Sequence, residues 1–228
     1  MKKTVGILGG MGPLATAYFY EKLILRSPAK SDQDHIPVMI YANPTMPDRT
    51  QCITQNQKEL LSPHLIKGAQ SLESNGAELI CMPCNTAHFW YDVVQNAVSI
   101  PVIHLIEETG RFLSSHAQNP TIGLLATHGT IQSQLYPNTL QNFDLSIQLP
   151  SSEDQHTIMS AIHTIKSGAP PTEQQPLLMP IVQSLLDQNI DHIILGCTEL
   201  PLIFGADLPE FLTDPMDCLA DAIIQQVY

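Results

Sequence analysis

Basic side chains are scarce in this chain. Lys and Arg together number 10, against 22 Asp and Glu, so the formal net charge is −12 at pH 7. A protein that binds a phosphate backbone needs a basic stripe, so the composition argues against nucleic acid as a partner. Charged residues make up 14% of the chain and apolar residues 43%, which indicates a compact globular protein rather than a disordered chain or a coiled coil.

Long apolar runs are also missing. Glycine, proline or polar residues interrupt every apolar segment before it reaches the length of about 20 residues that a spanning helix needs. We therefore expect no membrane partner. The first twenty residues carry two lysines and then an uncharged run, as a signal peptide does, but Gly-Gly-Met-Gly-Pro at 9–13 breaks the apolar region that such a peptide requires.

Cysteines are too few and too scattered for a disulfide scaffold. There are five, an odd number, at positions 52, 81, 84, 197 and 218. This usage is typical of reduced thiols, so the sequence predicts a cytoplasmic protein.

Short apolar runs rich in β-branched residues alternate with longer segments of helical character. The runs lie at 4–8, 36–42, 77–82, 100–105, 121–126, 145–149 and 191–195. Predicted helices lie at 14–26, 57–74, 106–116, 131–142 and 176–188. Near-continuously apolar strands that alternate with helices are typical of parallel sheets covered on both faces.

The two halves of the chain resemble each other. A shift of 117 residues places 5–8 on 122–125, and a shift of 113 residues places Cys84 on Cys197. Similarity at one period indicates internal duplication. We therefore predict an α/β fold with two similar parallel-sheet domains related by pseudo-twofold symmetry.

The duplication also predicts where the domains begin and end. The first would comprise residues 1–100 together with a C-terminal helix at 210–228, and the second residues 101–209. Ligands bind beyond the carboxyl ends of parallel strands, and clefts between domains are favoured sites. We therefore expect the active site in the cleft between the two domains.

Cys84 and Cys197 each follow a predicted strand and begin a turn toward a helix. A helix N-terminus lowers the pKa of a thiol, so we expect both values to lie below about 8.5. Two thiols from equivalent positions suit the inversion of a carbon stereocentre, which needs a base on one face and an acid on the other. Hydroxyl and amide donors nearby could stabilise the carbanion; these are Asn85, Thr86, Thr127, Thr130 and Thr198.

The sequence resembles the aspartate/glutamate racemase family over essentially its whole length, and within that family the aspartate racemases. The motifs that carry the resemblance are Gly6-Ile7-Leu8-Gly9-Gly10-Met11-Gly12-Pro13, Pro47-Asp48-Arg49-Thr50, Pro83-Cys84-Asn85-Thr86-Ala87-His88, Ala126-Thr127-His128-Gly129-Thr130 and Leu195-Gly196-Cys197-Thr198-Glu199. Glutamate racemases typically carry His where Glu199 stands, which favours the aspartate branch. Members restricted to L-substrates replace the first cysteine by Thr, so we expect this chain to act on both enantiomers.

The resemblance implies an isomerase that racemises amino acids without pyridoxal phosphate or any other cofactor, with no metal, and as a homodimer. By analogy with the family, Cys197 would take the α-proton from the L-amino acid and Cys84 would take it from the D-amino acid. Arg49 and Lys166 would hold the side-chain carboxylate of a dicarboxylic substrate, for which aspartate is the first candidate and glutamate the second. Met11 would also contact the substrate, and His88 and Glu199 would tune the neighbouring thiols.

Other interpretations stay open at this point. Gly10-x-Gly12 after the first strand partly matches a dinucleotide fingerprint, but no Asp or Glu ends the second strand. Cys81 and Cys84 have the spacing of a redox pair or half of a zinc site. The chain could also be another cysteine-dependent enzyme of the same fold, such as a maleate isomerase or a decarboxylase, or a dicarboxylate-binding protein without catalysis.

Overall fold

The computed structural model describes residues 2–205 and 207–228. Strands and helices alternate along the chain, as predicted. The first half contains β1 (Val5–Gly9), α1 (Pro13–Arg26), β2 (Val38–Ala42), α2 (Arg49–Thr54), α3 (Ser62–Ser74), β3 (Leu79–Cys81), α4 (Tyr91–Gln95), β4 (Val102–Ile103) and α5 (Leu105–His116). The second half contains β5 (Thr121–Ala126), α6 (His128–Gln132), α7 (Leu135–Leu140), β6 (Ser146–Gln148), α8 (Ser152–Lys166), α9 (Gln175–Leu186), β7 (Ile193–Gly196), α10 (Leu200–Phe204), β8 (Leu212–Thr213) and α11 (Pro215–Val227).

The strands form two four-stranded parallel sheets with the same order. The first sheet runs β2-β1-β3-β4 and the second β6-β5-β7-β8. Equivalent glycines also have the same packing role in the two sheets. A Cβ on Gly6 would lie 3.2 Å from Leu72, and a Cβ on Gly123 would lie 3.3 Å from Leu185, so each glycine lets a helix approach a central strand closely. The predicted fold class is therefore confirmed.

A shared hydrophobic core lies between the two sheets. Alternate residues of β1 point to opposite faces, so Ile7 belongs to this central core whereas Leu8 packs on the outer side under α3. In the second sheet Leu124 faces the central core and Leu125 the outer helices. The helices that fill the central layer contribute Phe19, Leu23, Leu113, Leu219 and Ile223, all buried. This layer joins the two sheets into one body.

An ionic network ties α1 to α11 within that layer. Lys22 Nζ lies 3.2 Å from Asp214 Oδ2 and 2.7 Å from Asp217 Oδ1, and Arg26 pairs with Asp217 and Asp221. Burial opposes the charge on Lys22, but the two carboxylates outweigh it and raise its pKa. Burial raises the pKa of Asp214 to about 6, although Lys22 counteracts this effect.

Two short strands do not follow the domain boundaries expected from the sequence. β4 lies beyond residue 100 but pairs with β3 in the first sheet, and β8 lies within 210–228 but pairs with β7 in the second. β4 lies within the apolar run recognised at 100–105, whereas the two residues of β8 are too few for a recognisable pattern. α11 packs on α1 and α5. The division into domains itself stays a prediction.

Most predicted helices are confirmed, with two corrections. The helix expected at 57–74 begins only at Ser62, after a 3₁₀ turn at Lys58–Leu60. The helix expected at 131–142 is split, because Gln134 adopts a left-handed conformation (φ 56°) between α6 and α7. Among the described residues, none of the helices has the length and apolarity to cross a membrane.

Candidate active site

The turns that follow β1, β3 and β7 meet at the carboxyl ends of the two sheets. In the first sheet this is the point where the strand order reverses, between β1 and β3, which is where open α/β sheets bind ligands. Gly10 makes the turn after β1 possible. Its φ is +90°, and a Cβ there would lie 2.4 Å from the backbone nitrogen of Asn43. Pro13 then opens α1 at a position where proline is favourable.

One small cavity lies where the two halves meet. Its lining residues are Met11, Asp48, Arg49, Thr50, Cys84, Asn85, Thr86, Lys166, Cys197, Thr198 and Glu199. Cys84 comes from the first half and Cys197 from the second, and they are only 6% and 5% exposed. The cavity has a volume of about 10 Å³, which is room for about one water molecule. The structure therefore brings the two sulfurs predicted to transfer protons to a single enclosed site.

A wider groove elsewhere lacks this arrangement. It has a volume of about 690 Å³ and lies beside α11. Cys218 is the single cysteine among the residues that line it, and no second thiol faces it. Size alone therefore does not identify the active site here.

Cys197 is hydrogen-bonded to a buried carboxylate. Its thiol donates to Glu199 Oε2 at 2.9 Å, and the hydroxyl of Thr198 donates to the same oxygen at 3.4 Å. Burial raises the pKa of Cys197 well above its usual value, and the negative Glu199 raises it further, whereas Lys166 lowers it. The sulfur is therefore held as a thiol.

Cys84 has a different electrostatic environment. Burial raises its pKa too and is the largest effect; Arg49, the backbone N–H of Ala87 and Lys166 lower it, and Glu199 raises it least of all. The expectation that both thiols would have lowered pKa values is wrong in its net direction. The backbone amides act as expected, but loss of water around the buried sulfurs outweighs them.

His88 supports the backbone rather than either sulfur. Its Nδ1 donates to the carbonyl oxygen of Cys84 at 2.9 Å, and its Nε2 accepts from the backbone N–H of Leu105 at 3.1 Å. Burial, with nearby His104, lowers the pKa of His88 to about 3, so the ring is neutral. The two hydrogen bonds of the ring connect the turn after β3 to the start of α5. The tuning of a thiol by His88 stays a prediction.

Tyr136 holds the side chain of Asn85 in one orientation. The Tyr136 hydroxyl donates to Asn85 Oδ1 at 2.5 Å, and both residues are buried. Asn85 Nδ2 is left without a hydrogen-bond partner among the described residues. Since Asn85 lines the cavity, this amide is available as a donor there. Sequence reasoning did not identify Tyr136, because a single tyrosine in a helix carries no local signal.

Three threonine hydroxyls form a cluster behind this donor. Thr86 Oγ1 lies 3.1 Å from Thr127 Oγ1 and 2.9 Å from Thr130 Oγ1, and Thr127 also caps α6. Thr86 lines the cavity, whereas Thr127 and Thr130 are absent from its wall. The two threonines of the second half therefore position Thr86 instead of lining the site as expected.

Two cations reach the cavity from opposite halves. Arg49 begins α2, capped by Asp48, and donates to the carbonyl oxygen of Pro47 at 3.1 Å. Lys166 ends α8; although much of its side chain is exposed, it reaches the cavity wall. Burial opposes the charge on Lys166, but Cys197 and Glu199 outweigh it and raise its pKa. Asp48 and Thr50 also line the site, whereas the sequence points only to Arg49 within the Pro-Asp-Arg-Thr motif.

The alternative roles for Cys81 do not fit its position. Cys81 lies within β3, is fully buried and faces the central core, whereas Cys84 faces the cavity. All five cysteines are unpaired. Among the described residues, no group of three His, Cys, Asp or Glu side chains has an arrangement that could hold a metal ion.

Comparison with known proteins places this site in a family. The sequence profile of the Asp/Glu/Hydantoin racemase family matches residues 8–223. The broad specificity amino-acid racemase RacX of Bacillus subtilis (strain 168) is 30% identical over 227 residues, covering 96% of each chain.

Solved structures agree with the sequence comparison. The Picrophilus torridus aspartate racemase is 31% identical, with a TM-score of 0.85, and the match covers 99% of this chain and 94% of that one. An aspartate racemase homologue from Pyrococcus horikoshii OT3 is 28% identical, with a TM-score of 0.77 and coverage of 99% and 98%. The chain therefore belongs to the Asp/Glu/Hydantoin racemase family, whose members include cofactor-independent amino-acid racemases.

Proposed function

We propose that this protein racemises aspartate by proton transfer at Cα between Cys84 and Cys197. The observation that carries the proposal is the cavity lined by both sulfurs, one from each duplicated half. One sulfur acts as a thiolate and removes the α-proton, while the other acts as a thiol and delivers a proton to the opposite face. For the other enantiomer the roles are exchanged.

The family resemblance assigns each sulfur to one enantiomer. Cys197 takes the proton from the L-amino acid, and Cys84 takes it from the D-amino acid. Each turnover moves one proton onto the base and one off the acid, so it leaves the pair with its protonation exchanged. The number of protons on the two sulfurs is the same before and after.

Polar groups of the wall support the carbanionic intermediate. Asn85 Nδ2 is a buried donor without another partner, and Thr86 and Thr198 place hydroxyls in the same wall. Fixed donors in a site that excludes water stabilise developing negative charge more strongly than water does. These groups would bind the substrate carboxylate as its charge increases.

Aspartate is the proposed substrate because two cations line the cavity of a protein with a net charge of −12. Arg49 offers a planar fork that matches a carboxylate, and Lys166 adds a second charge. The similarity to the Picrophilus torridus aspartate racemase supports aspartate, and the similarity to the broad specificity racemase RacX supports a wider range that includes glutamate. A maleate isomerase, a decarboxylase or a dicarboxylate-binding protein would need only part of this arrangement.

The cavity is closed to an amino acid. A volume of about 10 Å³ admits a single small molecule such as water. Substrate entry therefore requires that the turns from the two halves move apart, and their return excludes water from the reaction.

Solvent deuterium incorporation at Cα of each aspartate enantiomer tests the proposal. Cys84→Ala and Cys197→Ala should each reduce racemisation by about 100-fold or more, the contribution of a positioned acid or base. Cys218→Ala removes a buried thiol that lines the groove beside α11 and not the cavity, so it is the matched control and should retain activity. If neither enantiomer exchanges its α-hydrogen with the wild-type protein, the racemase assignment for aspartate fails, and a panel of other amino acids then separates a different substrate from binding without turnover.

We also propose that the protein acts as a homodimer in the reducing cytoplasm, where both thiols stay active. β2 is an edge strand whose five residues are uncharged, and Ile40 in it is 44% exposed; Tyr20 and Ile24 of α1 are exposed as well. Monomers usually protect such edges, and the equivalent strand β6 is shorter and carries Ser146 and Gln148. Light scattering should give a dimer that Ile40→Lys dissociates; a wild-type monomer at micromolar concentration would contradict this.

A further inference from the structure

We propose that Glu199 keeps the proton on Cys197 in the resting protein, so that Cys84 is the sulfur that is ready to act as base. Glu199 thereby acts as a positioning residue that makes the two otherwise equivalent sulfurs unequal before substrate arrives. The inference rests on the proposed two-cysteine racemisation and specifies which sulfur is the base in the resting protein.

The geometry of Glu199 is the first argument. Its Oε2 accepts from the Cys197 thiol at 2.9 Å, and its side chain is only 5% exposed. Its Oε1 lies 3.3 Å from the point where a Cβ on Gly12 would stand, so the turn after β1 confines the other end of the carboxylate. The thiol is the donor in the contact with Oε2, so the proton lies on sulfur.

The second argument is that the charges around the two sulfurs differ. Besides burial, which acts on both, the group with the largest effect on Cys197 is the negative Glu199, whereas for Cys84 it is the positive Arg49. Lys166 faces both sulfurs and favours the thiolate at each. Asp48 beside Arg49 also lines the cavity, and Tyr136 lies within electrostatic range of Cys197. The thiolate is therefore more stable on Cys84.

This imbalance has a specific kinetic signature. Two enantiomers have equal free energy in water, so kcat/KM must be the same for both at every pH. If the resting protein favours the thiolate on one sulfur, kcat and KM each differ between the two enantiomers while their ratio stays the same. The apparent affinity of a ligand equals its intrinsic affinity multiplied by the fraction of protein in the form that binds it productively. The enantiomer whose α-hydrogen faces Cys84, the D form by resemblance, should have the lower KM and the lower kcat.

Glu199→Gln tests the role of the charge, because it keeps the shape and a polar contact to sulfur. Removing a negative charge adjacent to an acid lowers its pKa by about 1 unit or more. We expect the ratio of the two KM values to move about tenfold toward unity, with kcat moving in the same proportion. Glu153→Gln, which removes an exposed carboxylate from the first turn of α8, should leave the ratio unchanged.

A direct titration gives a readout that does not depend on turnover. In Cys84→Ser, the ultraviolet absorbance of the thiolate reports the ionisation of Cys197. In Cys197→Ser, it reports the ionisation of Cys84. The variant that lacks both cysteines is the blank for the three other thiols. We expect Cys84 to ionise at lower pH than Cys197, and Glu199→Gln introduced into Cys84→Ser to lower the Cys197 value.

The outcomes separate this inference from the proposed function. If Glu199→Gln lowers both kcat/KM values but leaves the KM ratio and the Cys197 titration unchanged, Glu199 is merely structural and the inference is overturned while the racemase remains. If the variant does not fold, the order of the two titrations in the single-cysteine variants decides: Cys197 ionising first would refute it. Absence of α-hydrogen exchange by the wild-type protein would instead refute the proposed function.

Discussion

Replacing Tyr136 by Phe tests whether the orientation of Asn85 matters for catalysis. The hydroxyl of Tyr136 is the donor that fixes Asn85 Oδ1, and it is completely buried. Without that donor, the amide of Asn85 can rotate and exchange the positions of its oxygen and nitrogen. The cavity would then present an acceptor where the native protein presents Nδ2.

The contacts of Tyr136 set the size of the two expected effects, a loss of stability and a loss of activity. A buried acceptor left without a partner costs about 1–3 kcal/mol of stability. For a chain of this length each kcal/mol lowers Tm by roughly 2–4 °C. Loss of one hydrogen bond to a charged substrate group is worth about 1.5–3 kcal/mol. Since 1.36 kcal/mol is a factor of ten in rate, kcat/KM should fall by about 10- to 150-fold.

The assay measures racemisation by circular dichroism and stability by thermal unfolding in the same samples. Tyr91→Phe is the matched control, because its hydroxyl likewise donates to a carbonyl oxygen, in this case the main-chain oxygen of Val102 at 3.0 Å, and Tyr91 does not line the cavity. It should lose stability and keep its activity. If Tyr136→Phe behaves as Tyr91→Phe does, Asn85 is not a substrate donor and the reasoning is refuted.

Three further perturbations follow from the contacts. Arg49→Ala should raise KM for aspartate far more than for alanine, and an equal loss for both substrates would remove Arg49 from side-chain recognition. Lys22→Met leaves the Asp214 carboxylate buried without its cation, so unfolding free energy should fall by about 3–5 kcal/mol at pH 8. The loss should shrink at pH 5, because the pKa of Asp214 is already about 6 and its protonated form needs no cation; a constant loss across that range would contradict the pairing. Gly129→Ala would place a Cβ 2.8 Å from Thr50 Cα, so calorimetry should show weaker substrate binding as α2 is displaced, and unchanged binding would show that the wall tolerates the shift.

The sequence identified the central residues of the site because duplication made them visible. Cys84 and Cys197 stand at equivalent places in the two halves, and that repetition distinguished them from Cys52, Cys81 and Cys218. Arg49 and Lys166 came from the family resemblance, and both line the cavity. Tyr136 could not be found in this way, since its contact with Asn85 joins residues 51 positions apart.

The electrostatic state of the thiols could not be derived from local sequence. A turn before a helix predicts a lowered pKa, and the backbone amides of Ala87 and Glu199 do act in that direction. Burial by the rest of the protein reverses the result, because it removes the water that would stabilise a thiolate. Burial is a property of the whole fold.

The sequence by itself determined the alternation of strands and helices, the duplication and the residue types that the chemistry needs, since these depend on patterns within tens of residues. Only the tertiary structure decided that the two sheets share a central core, that Cys84 and Cys197 line one cavity, and that Glu199 and Arg49 give the two sulfurs different surroundings. The reason is physical: pairing patterns follow from local periodicity, whereas burial and charge at a site depend on side chains brought together from distant parts of the chain.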